Sequence, residues 1–277
     1  NLNTHLLEGL ESVGVPKSLK NTISSFRMNN FNDLKKIKKI KKLAAIIMEV
    51  QREKEPNTNF LREIRRYCNQ KKIILIFDEC TSGFRETYGG IHKNYNISPD
   101  IALFGKCLGN GYPITAILGK KKYLKKASKS FISSTFWTEN SGFVAALKTL
   151  EIMKKKKTYK KVKIIGKRIK NIWEKLASKY SLPIKIYGLD SIPSFKFLSK
   201  DWLKYKTFTT QEMLNNKILA TNTIYISIAH KNEYIKKYQI ILDKIFFKIK
   251  KCEENKLSIN KILKSKVSTS DFNRLTG

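Results

Sequence analysis

The sequence predicts an α/β fold: a large domain built on a mostly parallel sheet with helices on both faces, followed by a smaller C-terminal α+β domain. Three observations predict it. Short uninterrupted apolar runs read as strands buried on both faces, whereas a half-solvated strand would alternate. Amphipathic helical stretches separate these runs, as crossovers between parallel strands require. Polar residues stand at the carboxyl ends of the runs, where ligands of open α/β sheets bind.

Residues 22–28 read as a strand, and 31–42 as a Lys-rich helix with Leu34, Ile37 and Ile40 on one side. Residues 43–49 (LAAIIME) are a buried strand ending in Glu49. Residues 59–69 (NFLREIRRYCN) follow as an amphipathic helix with Asn59 at its N-cap and Leu61, Ile64 and Cys68 on one face. The second buried strand, 72–78 (KIILIFD), ends in Asp78. Two shorter runs, 101–104 and 114–119, flank a segment containing Gly109, Gly111 and Pro113. Helical periodicity returns over 140–156 and 161–180, then apolar strand-like stretches at 183–187, 194–198 and 223–229, then a helix over 233–250. This organisation divides into a large domain over 1–153, which the resemblance described below implies is partial, a small α+β domain over 154–250 and a basic tail over 251–277.

Composition narrows the function classes. The 277 residues are 41% apolar, enough for a substantial core, and no apolar run approaches the roughly 20 residues that span a bilayer. The first residues (NLNTH) lack the basic and apolar regions of a signal peptide. Cys68, Cys80, Cys107 and Cys252 form no CxxC pair, which excludes a zinc-ribbon or disulfide framework and fits a reducing cytoplasm. His5, His92 and His230 have no metal-ligand spacing.

The net charge of +34 raises the question of nucleic acid. Yet only eight of the 56 basic residues are Arg, the side chain suited to bidentate phosphate and guanine contacts. Lysine is instead spread through most surface segments, as a default solvated residue. The expectation is no specific nucleic-acid partner and no membrane association.

The chemistry concentrates in residues 75–120. Asp78, a carboxylate at the end of a buried strand, is costly without a cationic partner. Lys106 lies 28 residues later, after the next apolar run and directly before a Gly-rich turn. On spacing alone, this pair reads either as a buried ion pair or as the two poles of a cofactor site.

The ordered pattern Phe77-Asp78-Glu79, Ser82-Gly83-Phe84-Arg85, Pro99-Asp100-Ile101, Phe104-Gly105-Lys106, Leu108-Gly109, Gly111 and Pro113 resembles that of the class III pyridoxal-phosphate-dependent aminotransferases. Glutamate-1-semialdehyde 2,1-aminomutase belongs to the same family. The similarity runs from about Val15 to Phe247 and includes Pro193-Ser194-Phe195. It implies a fold-type-I transferase with pyridoxal 5'-phosphate as cofactor.

Within that resemblance, Lys106 would form the Schiff base with the cofactor aldehyde and later shuttle a proton, which favours a buried amine. Asp78 would hold the pyridine nitrogen protonated. Cys80 stands where the family places an apolar side chain against the ring. Glu49 matches a glutamate near the cofactor, although Val50 replaces the proline that usually follows it; Gln51 and Arg52 extend along the same edge. Thr138, with Thr135 as the alternative, matches a threonine that reaches the phosphate of a neighbouring subunit's cofactor in a homodimer. Arg85 is either structural or a ligand for a substrate carboxylate, and Tyr88 and Tyr95 are expected near the site.

The partners so implied are a small-molecule amino donor and a carbonyl acceptor. Family members are longer, and the segment preceding the matched part normally supplies the phosphate-cradling loop and the aromatic that stacks on the ring. The activity expected is amino transfer between molecules. Aminomutation is the alternative, disfavoured by Gly142-Phe143 where that enzyme carries Asn-Pro. A catalytically idle fragment of such an enzyme is a further reading.

Overall fold

The computed structural model describes residues 12–132 and 139–269. Its first half is a four-stranded sheet of order β1-β2-β3-β4. The strands are β1 (Ala45–Glu49), β2 (Ile74–Asp78), β3 (Ile101–Phe104) and β4 (Ala116–Gly119). The first three run parallel; β4 pairs antiparallel with β3, Phe104 facing Ala116. Residues 22–28, expected to be a strand, are irregular: among the described residues no neighbouring strand takes their backbone hydrogen bonds.

Helix α1 (Phe31–Ile37) buries Leu34 and Ile37, and α2 (Thr58–Lys71) is the crossover between β1 and β2. Its N-cap is Asn57, not Asn59: the Asn57 side chain accepts from the backbone N–H groups of Asn59 (2.9 Å) and Phe60 (3.3 Å). Phe60, Leu61, Ile64, Tyr67 and Cys68 of α2 form one core with Ile46, Met48, Leu75 and Phe77 from a single face of the sheet. The strands alternate, so Ile47, Ile76, Leu103 and Ile117 point to the opposite face. There Ile76 and Leu103 are half-buried and Ile47 and Ile117 are exposed.

The amino ends of the strands are tied by Asp100, which is buried and accepts from the Leu75 N–H (2.9 Å), Arg65 Nη1 (3.0 Å) and Lys120 Nζ (2.6 Å). The carboxyl ends of β1, β2 and β3 lie at the other rim, where Glu49 pairs with Asp78 and Asp78 with Leu103 in the parallel register.

After α3 (Lys121–Ala127), two long helices follow, α4 (Ser141–Lys156) and α5 (Thr158–Lys179). The second core joins α5 and α7 (Asn232–Glu253) across the antiparallel pair β5 (Ile184–Tyr187) and β6 (Ser194–Phe197). Trp173 and Phe195 pack at its centre as a tilted pair with centroids 4.8 Å apart, and the Trp173 Nε1–H donates to the Tyr238 hydroxyl (2.8 Å). Residues 223–229 do not form the strand their apolar content suggests and contribute one bridge, Thr223 to Ser194. Helix α6 (Trp202–Asn215), which its weak periodicity hides in the sequence, packs Tyr205, Phe208 and Met213 into this core. Beyond α7, Ile259 of the short α8 (Ile259–Ile262) is buried against the same core.

Candidate active site

The site forms where β2 and β3 end. Asp78 closes β2, and its Oδ1 accepts from the Cys80 backbone N–H at 3.0 Å, so the carboxylate folds over its own turn. The next residue, Glu79, points inward and is fully buried. Its carboxylate takes four donors: Ser82 Oγ (2.8 Å), Ile91 N–H (2.7 Å), His92 N–H (3.0 Å) and the His92 ring Nδ1 (2.7 Å). Burial alone would push this carboxyl up, but the His92, Ile91 and Ser82 hydrogen bonds outweigh it and hold Glu79 below its ordinary 4.5. The loop of residues 79–95 is thus clamped beside the strand end by a buried anion.

Lys106 follows β3 after Gly105, in the left-handed conformation (φ +45°) that opens a single 3₁₀ turn, Lys106–Leu108. That conformation is uncommon outside glycine. Close packing of the turn depends on Gly109, where a Cβ would stand 2.2 Å from the Tyr112 carbonyl oxygen. Lys106 is exposed, where the sequence led us to expect burial, and its Nζ donates to Thr81 Oγ1 at 2.7 Å.

Cys80 lies within the field of both poles. Burial raises its thiol first, the Asp78 carboxylate raises it further, and the Lys106 ammonium opposes them. Glu49 is raised chiefly by burial and secondarily by the neighbouring Asp78 charge, against the opposing pull of Arg52 and Lys106. Its nearest cation is Arg52 Nη1 at 3.7 Å. Glu49, Asp78, Cys80 and Lys106 therefore share one electrostatic neighbourhood at one rim of the sheet.

Other expected residues are placed differently. Gln51 accepts from the Tyr95 hydroxyl at 2.8 Å. Tyr95 is half-buried, and burial pushes its hydroxyl up to about 12. Arg85 faces a separate cavity with Cys107, whereas Lys106 lines one with Gly111, Pro113 and Thr115. Thr135 and Thr138 lie outside the described residues. Sequence reasoning missed Thr81 as the partner of Lys106. A hydroxyl three residues beyond the strand-end carboxylate is the one available signal, and it is too common to single out.

Among the described residues, no group of His, Cys, Asp and Glu is arranged to hold a metal, and no helix is long and apolar enough to cross a membrane.

A carboxylate at the end of one parallel strand and an amine just beyond the end of the next stand where open α/β sheets bind their ligands. The FumI protein of Sphingopyxis sp., solved with pyridoxal phosphate (PLP), shares the fold, with a TM-score of 0.82 over 91% of this chain and 64% of that one at 21% identity. Ornithine aminotransferase from Plasmodium yoelii does so with a TM-score of 0.71 over 82% of this chain and 63% of that one at 18% identity. The fold is that of the fold-type-I transaminases. The class-III aminotransferase family model matches residues 10–231, and the chain belongs to that family.

Among curated relatives, 3-aminobutyryl-CoA aminotransferase of Cloacimonas acidaminovorans is 33% identical over 72% of this chain and 50% of its own length. Glutamate-1-semialdehyde 2,1-aminomutase of Methanococcus maripaludis is 31% identical over 68% of this chain and 48% of its own. The chain spans about half the length of these relatives.

Proposed function

We propose that this chain carries the amine- and acid-bearing part of a pyridoxal-phosphate-dependent aminotransferase, acting on a small-molecule amino donor and a carbonyl acceptor. The observation that carries the reading is that Asp78 and Lys106 bind neighbouring residues of one turn at the same rim of the sheet: Asp78 accepts from the Cys80 N–H at 3.0 Å, and Lys106 donates to the Thr81 hydroxyl at 2.7 Å. The donor set fits the group: one amine, one carboxylate, and between them a small polarizable side chain that leaves room for a flat ring.

When bound, pyridoxal phosphate supplies a carbonyl carbon and a ring that accepts electrons from the substrate carbon. The roles of this chain's residues follow from their chemistry. Lys106 Nζ would hold the aldehyde carbon and, once displaced, carry the proton between substrate carbon and cofactor carbon. Asp78 would accept the hydrogen bond of the protonated pyridine nitrogen, and Cys80 would pack against the ring face. Glu49, next to Asp78 across the β1–β2 pairing, adds negative charge that favours a protonated ring. Thr138, or Thr135, would reach the phosphate across a homodimer. Two features support such a dimer: Phe143, Val144 and Leu147 form an exposed apolar stripe on α4, and Phe131 and Ile132 are exposed shortly before it. Four free cysteines support a cytoplasmic setting.

Intramolecular amine transfer is the second reading, favoured by the aminomutase relatives and weakened by Gly142-Phe143. Incubation with pyridoxal phosphate, borohydride reduction and peptide mapping test the assignment. The phosphopyridoxyl mass is expected on Lys106 and absent from Lys106→Ala; labelling spread over surface lysines with Lys106 untouched would refute it. A panel of keto and aldehyde acceptors, run against glutamate-1-semialdehyde, separates the two reactions.

A further inference from the structure

A second cavity adjoins the turn that carries Lys106 without including that residue. It measures about 360 Å³, near the small end of the usual range for ligand sites, and lies between the Phe84–Arg85 segment, the 107–112 turn, α4 and residues 226–228. Phe84, Met153, Val162 and Ile226 make most of its wall apolar.

Two cations line it, Arg85 and Lys148. The half-buried guanidinium donates from Nε to the Thr81 carbonyl oxygen at 2.6 Å and lies over the Tyr225 ring, 5.4 Å from its centroid. Both contacts fix its orientation. Among the described residues no carboxylate comes within ion-pairing distance of Arg85, so its terminal N–H groups have no acidic partner. Comparable partly buried cations are neutralised: Arg65 by Asp100 (3.0 Å), Lys170 by Asp190 (2.9 Å) and Lys204 by Asp201 (2.9 Å). Glu86, the adjacent acid, is committed to Ser191 N–H and Oγ (2.9 and 3.1 Å) and to Lys163 (3.8 Å). Lys148, the other cation lining the cavity, is already paired with Glu151 at 2.8 Å.

We propose that this cavity binds an amphiphilic monocarboxylate, its head bridging the Arg85 Nη groups and its hydrocarbon body lying against Phe84, Met153, Val162 and Ile226. A planar guanidinium held by its Nε leaves two parallel donors in the geometry a carboxylate accepts. A single unpaired cation matches one negative charge, and the apolar wall matches a body of several carbons. The site needs no cofactor at Lys106 and stands apart from that assignment.

Calorimetric titration of the whole chain, without pyridoxal phosphate, tests it with sodium octanoate, octanamide and inorganic phosphate as probes. Octanoate is expected to bind at one site, at least tenfold more tightly than either of the others. Arg85→Met should weaken octanoate at least tenfold and abolish its advantage over octanamide. Ala145→Leu narrows the cavity from the α4 side without touching the guanidinium, and should also weaken octanoate; it keeps the test decisive if Arg85→Met does not fold. Equal binding of octanoate and octanamide, phosphate binding as tight as octanoate, or full octanoate affinity in a folded Ala145→Leu protein would each overturn the proposal.

Discussion

Glu79 illustrates how a motif residue with no chemical task can govern those that have one. It neighbours Asp78 in sequence, and its four hydrogen bonds determine where the 79–95 loop runs and hence where Cys80 and Thr81 stand. Glu79→Ala leaves buried donors on Ser82, Ile91 and His92 unpaired and should cost about 3–5 kcal/mol in chemical denaturation. The pH dependence has a definite sign. The folded-state carboxyl titrates below its ordinary 4.5, so the unfolded chain binds more protons in that window. The stabilisation from Glu79 is complete above about pH 4.5 and lost as pH falls through the folded value. Melting curves of Glu79→Gln should therefore fall less steeply than the parent's between about pH 5 and 3; an unchanged slope would exclude the effect. Run-end positions marked Asp78 and Lys106 as a pair of interest, and only the ordered motif around them, through its resemblance to a family, suggested roles for them. The partners of Glu79 did not announce themselves, because Ile91 and His92 reach it through a loop whose path no periodicity records.

At the scale of elements, α5 carries a packing constraint opposite to its helix propensity. Replacing an interior helical glycine with alanine ordinarily stabilises by about 1 kcal/mol. At Gly166, however, a Cβ would fall 1.6 Å from the Asp190 carbonyl oxygen. That oxygen belongs to the backbone of the connection between β5 and β6 and cannot turn aside as a side chain would. Gly166→Ala is therefore expected to lower stability by about 1–3 kcal/mol, measured by urea unfolding; a stabilised variant would show that the connection yields freely. The parallel strands β1, β2 and β3 and the amphipathic helices α2, α5 and α7 were legible because each buries one strong stripe or run. Residues 22–28 and 223–229 misled for a common reason: β-favouring composition makes a strand only when a partner edge accepts its hydrogen bonds. Helix α6 escaped notice because its threonines and aromatics are buried with little regular spacing.

For the molecule as a whole, the charge of +34 is carried by lysines distributed along nearly every segment. Binding to DNA should be non-specific, indifferent to sequence and largely gone at about 0.15 M salt, as screened surface charges require. Column retention of random duplexes at stepped salt checks this, and tight, sequence-selective retention at that ionic strength would contradict it. The architecture was legible as an alternation of runs, and the two larger of its three buried clusters follow from that alternation. The placement of Arg85 was not, because the path of the loop after β2 leaves no periodicity in the sequence, and neither was the reversal of direction between β3 and β4. That reversal also limits movement. Residues 105–115 leave the sheet at Phe104 and rejoin it at Ala116, directly across one ladder rung. Both stems of the lysine-bearing turn are thus moored to the same rigid pair of strands. In the proposed role Lys106 would work like a lever on a fixed fulcrum, its stroke no longer than its own four methylenes, and whatever it captured would have to be delivered within that arc.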